Sequence, residues 1–184
     1  DRDSLSRLAT VYQEAQDWTS AVNVLLRLAE VQDDPRDKVR TLLTLADLYE
    51  TRLEDPRSAT LANRKVLELD PSNQTAILRL SALYERAEDW NALADVSARY
   101  VSLLPHDQKA RAAPLHMKMA EVFETRMNDD ARAINALKYA LDAKPDEAEA
   151  LVRLARLYGK SAEGGPHAVD AHRRLLRLDP FRVE

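Results

Sequence analysis

His167 and His172 stand five residues apart in a 184-residue chain with four histidines and no cysteine. A metal centre in such a chain would need imidazole ligands. On a helix these two rings point about 140° apart, too far to share one ion. His116 lies on an otherwise apolar stripe and reads as a packed core histidine, while His106 follows Pro105 and reads as solvated. The carboxylate pairs Asp33-Asp34 and Asp129-Asp130 fall where helices begin, and negative charge there suits the helix dipole better than acid/base work. Gly164-Gly165 is followed by Pro166 and lacks a P-loop lysine. There is no Gly-x-Ser-x-Gly elbow for a serine nucleophile. Without cysteine there are no disulfides, thiolate zinc sites or thiol nucleophiles, and the compartment stays open. The expectation is no catalysis, no metal and no cofactor.

Composition points the same way. The chain is 45% hydrophobic and 32% charged, with only 3 glycines, which leaves little room for the tight turns of a β-rich fold. Alanine, leucine, arginine and glutamate, all good helix formers, dominate. A net charge of −4 argues against nucleic-acid binding by bulk electrostatics. No apolar run approaches the roughly 18 residues of a membrane span, so no membrane insertion is expected. Arginine greatly outnumbers lysine, as in proteins from GC-rich bacterial genomes. The one charge asymmetry is Arg173, Arg174 and Arg177 with Arg153, Arg156 and Lys160 nearby. It reads first as a solvated helix face and second as a patch for an acidic partner. The chain begins at Asp1 without methionine and reads as a piece excised from a longer protein.

One phrase recurs. Leu8-Ala9-x-Val11-Tyr12, Leu45-Ala46-x-Leu48-Tyr49, Leu80-Ser81-x-Leu83-Tyr84, Met119-Ala120-x-Val122-Phe123 and Leu154-Ala155-x-Leu157-Tyr158 follow one another, their aromatics 37, 35, 39 and 35 residues apart. Each lies on a helical stripe, as Leu42, Leu45, Ala46, Leu48 and Tyr49 illustrate. The small residue lets a neighbouring helix approach, and the aromatic fills the gap beside it. A second helix follows each phrase. Asp17 and Asp89 sit at N-cap positions ahead of Trp18 and Trp90, and Pro56 falls in a first turn. Leu69-Asp70-Pro71, Leu104-Pro105, Lys144-Pro145 and Leu178-Asp179-Pro180 close the units, because proline disfavours helix in the residue before it. Copies two, four and five carry one extra residue in the turn between helices. Pro114 predicts a kink or a late start in the fourth first helix.

Five helix–turn–helix copies with this pattern resemble the tetratricopeptide repeat over almost the whole chain. Copy four fits the family pattern best, through Met119, Ala120, Phe123, Ala133, Leu137, Ala140 and Pro145. The resemblance implies an all-α fold of about ten helices, a right-handed superhelical α-solenoid forming a single domain over residues 1–184. Its repeats would span about 3–33, 36–71, 73–105, 108–145 and 147–180. It also implies a non-catalytic scaffold that binds a peptide or a partner helix in a concave groove lined by first helices. Register places Arg40, Leu43, Asp47, Glu50, Leu78, Arg79, Glu85, Met117, Lys118, Glu121, Val152, Arg153 and Arg156 on that wall. Its middle is acidic, with Glu124 added, and its C-terminal end basic, with Lys160 added. Relatives that clamp a C-terminal carboxylate with Lys and Asn are not matched, because Ser6, Thr10, Thr44 and Thr75 occupy those places and only Arg79 fits. The expected partner is therefore another protein or peptide, with no nucleic acid. End-to-end self-association through Leu175, Leu176 and Leu178 is a further expectation. The alternatives are an architectural spacer in a longer array, or a regulatory domain of a larger protein.

Overall fold

The computed structural model describes residues 1–160 and 164–178. Among them the chain forms ten α-helices, one 3-10 helix and no strand. The helices are α1 (Arg2–Glu14), α2 (Trp18–Val31), α3 (Pro35–Thr51), α4 (Pro56–Leu69), α5 (Gln74–Arg86), α6 (Trp90–Ser102), α7 (Ala113–Thr125), α8 (Asp130–Ala143), α9 (Ala148–Gly159) and α10 (Gly165–Leu178). Two compact units divide the chain, Asp1–Val96 and Ser97–Glu184. In the first, α1 packs on α2, α2 on α3, α3 on α4 and α4 on α5. In the second, α7 packs on α8, α8 on α9 and α9 on α10. The 3-10 helix His106–Ala112 precedes α7, which puts Pro114 in that helix's first turn. The late start is the observed outcome, since a first-turn proline gives up no helical hydrogen bond. The closing residues Asp179 and Pro180 and the side chain of His106 lie outside the described residues.

The first four helix pairs are closed by one local device. The backbone N–H of the capping aspartate donates to the carbonyl of the repeat's aromatic residue: Asp17 to Tyr12 at 2.9 Å, Asp55 to Tyr49 at 2.8 Å, Asp89 to Tyr84 at 2.9 Å and Asp129 to Phe123 at 2.8 Å. The aspartate side chain then accepts from the next turn, from Ser20 N–H at 3.1 Å, Ser58 at 3.1 Å, Ala92 at 3.1 Å and Arg132 at 2.9 Å. Hydrogen bonds from the Ser20 and Ser58 side chains and N–H groups, and from the N–H and side chain of Arg132, hold the carboxyls of Asp17, Asp55 and Asp129 below the usual aspartate range. The residue before each aspartate takes a left-handed backbone, with φ of 58° at Gln16, 52° at Glu54, 54° at Glu88 and 50° at Asn128. Three of the four are neither glycine nor asparagine, a strain on the order of 1 kcal/mol each. In the longer turns the extra residue is absorbed where the Leu53 and Met127 N–H groups reach back to the Leu48 and Val122 carbonyls. Gly164, six residues after Tyr158, takes the aspartate's place in the fifth turn. A Cβ there would meet the Tyr158 carbonyl oxygen at 2.1 Å, so no other residue fits.

The core is leucine and alanine at the recurring positions, with Leu45, Ala46, Ala120 and Leu137 all fully buried. The tyrosines are half-buried rather than central, and only Phe123 is buried outright. Arginine guanidinium groups lie over two ring faces, Arg52 over Trp18 at 4.9 Å and Arg132 over Phe123 at 5.0 Å. His116, expected to pack in the core, is half-buried, its ring 5.5 Å from that of the exposed Tyr139 between α7 and α8.

At one repeat position two buried oxygens break the pattern. The eighth residue after each cap is Leu25 in α2 and Leu137 in α8, but Asn63 in α4 and Ser97 in α6. Both polar side chains are buried, and Asn63 Oδ1 and Ser97 Oγ have no hydrogen-bond partner. Asn63 Nδ2 donates to the Ala59 carbonyl at 2.9 Å, a bond that carbonyl does not need. Replacing an orphaned acceptor with a hydrocarbon of similar volume removes a desolvation cost of about 1–3 kcal/mol. Asn63→Leu is therefore expected to raise urea-unfolding stability by about 1–2 kcal/mol. A loss would show that this oxygen has a partner.

His116 yields a pH prediction. Burial pushes its imidazole below the ordinary 6.5, against a smaller upward pull from Asp142. A histidine whose folded value is depressed stabilises the fold fully above its unfolded value and loses that contribution as pH falls through the folded one. Stability is expected to decline from about pH 6.5 towards 5, and His116→Leu to flatten that slope. The check is a series of urea melts between pH 5 and 8.

Candidate partner-binding face and its arginine clasps

The first helices present two kinds of residue at the positions expected to meet a ligand. The charged ones face each other. In the first unit Arg79, on α5, donates through Nη2 to Asp47 Oδ1 on α3 at 2.7 Å and through Nη1 to the Leu43 carbonyl at 3.4 Å. Arg86 reaches Glu50 at 2.6 Å. In the second unit Arg153, on α9, donates to Glu124 on α7 through Nε at 3.1 Å and Nη2 at 2.8 Å, and through Nη1 to the Met117 carbonyl at 3.4 Å. Arg156 pairs with the other oxygen of Glu124, and Lys160 with both oxygens of Asp130 at 2.9 Å.

Arg79 and Arg153 hold one repeat position, five residues before the aromatic. Each grips the carbonyl six residues before the preceding repeat's aromatic, together with a carboxylate on that same helix. We term the pairings clasps. They fasten α5 to α3 and α9 to α7. Sequence register assigns these charges to the first helices but does not reveal that neighbouring repeats bring them within bonding distance of each other. The 36-residue spacing of Leu43 to Arg79 and Met117 to Arg153 is the signal that would have found them.

The remaining positions are more open. Leu78 and Val152 are exposed, at 58% and 41%, while Leu43 and Met117 are half-buried. All four stand six residues before a repeat's aromatic. Arg40 is exposed beside Asp37 at 3.4 Å, and Glu85, Lys118 and Glu121 are exposed. Of the basic cluster, Arg173 and Arg177 are exposed, and Arg174 donates to the Pro145 carbonyl at 3.1 Å. His167 packs its ring 5.0 Å from Tyr158, and His172 is exposed. Among the described residues no three His, Asp or Glu side chains gather as metal ligands, and no helix is long and apolar enough to cross a membrane.

The second clasp is the more buried, since Glu124 and Arg153 expose only 8% and 15% of their side chains while Arg156 exposes 61%. Removing one partner of such a pair leaves a charge without compensation, whereas removing both does not. Arg153→Met is expected to cost about 2–4 kcal/mol, and Arg156→Ala about 1 kcal/mol or less. Adding Glu124→Leu to Arg153→Met is expected to recover most of the loss. A double-mutant cycle by denaturant unfolding checks this, and strictly additive losses would contradict the clasp.

No family model matches the chain, and no curated protein matches it in sequence. Solved structures do match its fold. A TPR repeats protein from Bacteroides fragilis superposes with a TM-score of 0.62 at 14% identity, over 99% of this chain and 93% of that one. A MamA protein gives 0.51 at 19% identity, over 100% and 96% of the two chains. MamA AMB-1 gives 0.52 at 16%, over 99% and 93%. At such identities the likeness is one of fold. Helix pairing, turn closure and these neighbours together give the chain a tetratricopeptide-like, all-α helical-repeat fold.

Proposed function

We propose that the chain is a non-catalytic protein–protein interaction scaffold, taking a peptide or a partner helix across the exposed side of its first helices. The observation that carries the reading is the apolar pair that each unit presents at one repeat position, Leu43 and Leu78 in the first unit and Met117 and Val152 in the second. An exposed apolar residue with a half-buried one at the same repeat position, beside charges that satisfy one another, gives each unit a surface with affinity to offer and little charge to desolvate. Arg40, Glu85, Lys118 and Glu121 would flank the ligand. Asp47, Glu50, Arg79, Arg153 and Arg156 would hold the helices in register beneath it rather than bind ligand charges. Exposed ion pairs to a ligand would add only about 0.2–1 kcal/mol each, enough to orient it. The non-catalytic reading is supported by the roles of the reactive groups, since the aspartates at the turns cap helices and two histidines pack against tyrosines.

An architectural spacer within a longer array, or a regulatory domain of a larger protein, is the second reading, and the internal pairing of the charges favours the spacer. Selection of a displayed random-peptide library on the chain separates the two. The scaffold reading expects enriched peptides whose binding falls at least about tenfold with Leu78→Asp or Val152→Asp. Binding should be unchanged by Leu61→Asp or Tyr139→Asp, on exposed sites of the second helices. No enriched peptide, or peptides indifferent to Leu78 and Val152, would favour the spacer.

A further inference from the structure

Four charged side chains of the first unit lack the pairing that the clasps supply. There α2, α3 and α4 line a cavity of about 280 Å³. Ala29 and Leu42, 5% and 4% exposed, form its floor, while Leu26 and Leu69, 38% and 39% exposed, stand at its rim. Glu30 from α2, Lys38 from α3, and Lys65 and Glu68 from α4 complete the lining. Among the described residues none of these four charges has an ion-pair partner. The cavity also belongs to a recurring groove. Leu26, Ala29 and Glu30 are the ninth, twelfth and thirteenth residues after their capping aspartate, and the same places on α8, Lys138, Leu141 and Asp142, line a cavity of the second unit. Leu42 and Leu151 correspond on the first helices, seven residues before the aromatic, as do Lys65 and Arg174 on the following second helices. An acid on one wall and a base on the other thus recur over a buried leucine. The second-unit cavity is smaller, about 170 Å³, with the rings of Tyr158 and His167 in its lining and Lys138 where Leu26 stands.

We infer that the first-unit cavity binds a small aliphatic zwitterion of the free branched-chain amino acid class. Charge complementarity selects this occupant. Two carboxylates and two ammonium groups around an apolar floor match a ligand with one ammonium, one carboxylate and one hydrocarbon group. Its ammonium would face Glu30 and Glu68, its carboxylate Lys38 and Lys65, and its side chain Ala29 and Leu42. A purely apolar ligand would desolvate four charges without compensating them. A singly charged one would bring its charge against two of like sign and leave the other two without a partner. The volume lies just below the roughly 300–1,000 Å³ of sites for drug-sized ligands, so it suits a ligand of about ten non-hydrogen atoms. Such a ligand is expected to bind with a dissociation constant on the order of 0.1–1 mM.

An NMR titration of the chain with L-leucine tests this. The expected result is a set of saturable amide shifts in α2, α3 and α4. Glycine, which lacks the hydrocarbon group, should bind at least about tenfold more weakly. Isocaproate and isoamylamine, each lacking one of the two charges, should bind at least about threefold more weakly. Glu30→Gln and Lys65→Gln, both at exposed positions, should each weaken L-leucine binding about threefold, and Leu69→Asp about tenfold. Far-UV thermal melts establish that each variant is folded. Asp142→Asn, in the second unit, should leave binding unchanged. The absence of a saturable shift up to the solubility limit of L-leucine overturns the inference. So does equal binding of isocaproate or isoamylamine, which would make the site an apolar cavity indifferent to charge. A loss of binding on Asp142→Asn also overturns it, because the ligand would then lie in the second unit.

Discussion

The hydrogen bond from each capping aspartate's N–H to the aromatic carbonyl governs the rest of the molecule. It closes the turn between the two helices of a repeat, and it does so across two loop lengths, five residues from Tyr12 to Asp17 and six from Tyr49 to Asp55. Because the closure is the same, a given position in one helix pair meets the same neighbour in the next pair. The left-handed backbone at Gln16, Glu54, Glu88 and Asn128 is the local strain this closure imposes. Where the turn comes closest, at Gly164, only a residue without a side chain can be accommodated. Equivalence of position is what lets a seam, a clasp or an exposed apolar site be read as a repeating feature.

Electrostatics acts mainly between repeats. Arginines five residues before the aromatic in the third and fifth repeats find carboxylates on the second and fourth, so the donor and acceptor repeats alternate. Each clasp also takes a backbone carbonyl, which fixes the axial position of one first helix on the other. Such pairs add specificity of stacking more than stability, because desolvating Glu124 and Arg153 offsets much of their attraction. Neutralising the charges in this way leaves Leu78 and Val152 as prominent exposed apolar groups of the first helices. The character of the exposed surface follows from how the interior seams are charged.

Much of the local structure could be read from the residues. The five aromatic phrases locate the first helices, aspartates and prolines mark where second helices start, and helix boundaries follow because caps and first-turn prolines act within a few residues of themselves. The deviant positions were harder. Asn63 and Ser97 lie on helical stripes like any polar residue near a helix surface, and only the neighbouring helices show that both are enclosed. Likewise register leads to a wall acidic in its middle and basic at its C-terminal end, while in the structure Asp47, Glu50 and Glu124 are paired with arginines of the neighbouring first helix.

By itself the sequence determined that the chain is all-helical, that it repeats, and where the aspartate-capped helices start, since hydrophobic period and capping chemistry are properties of neighbours along the chain. Tertiary structure decided which charges pair, which oxygens are orphaned and which leucines remain uncovered. Those outcomes depend on groups 30 to 40 residues apart being brought within a few ångströms. A side chain's partner across a seam is set by the helix that packs there, and nothing in its own stretch of sequence encodes that distance. Leu8 and Leu45 show the point, for the two stand at the same place in the same phrase, and only one has a helix laid over it.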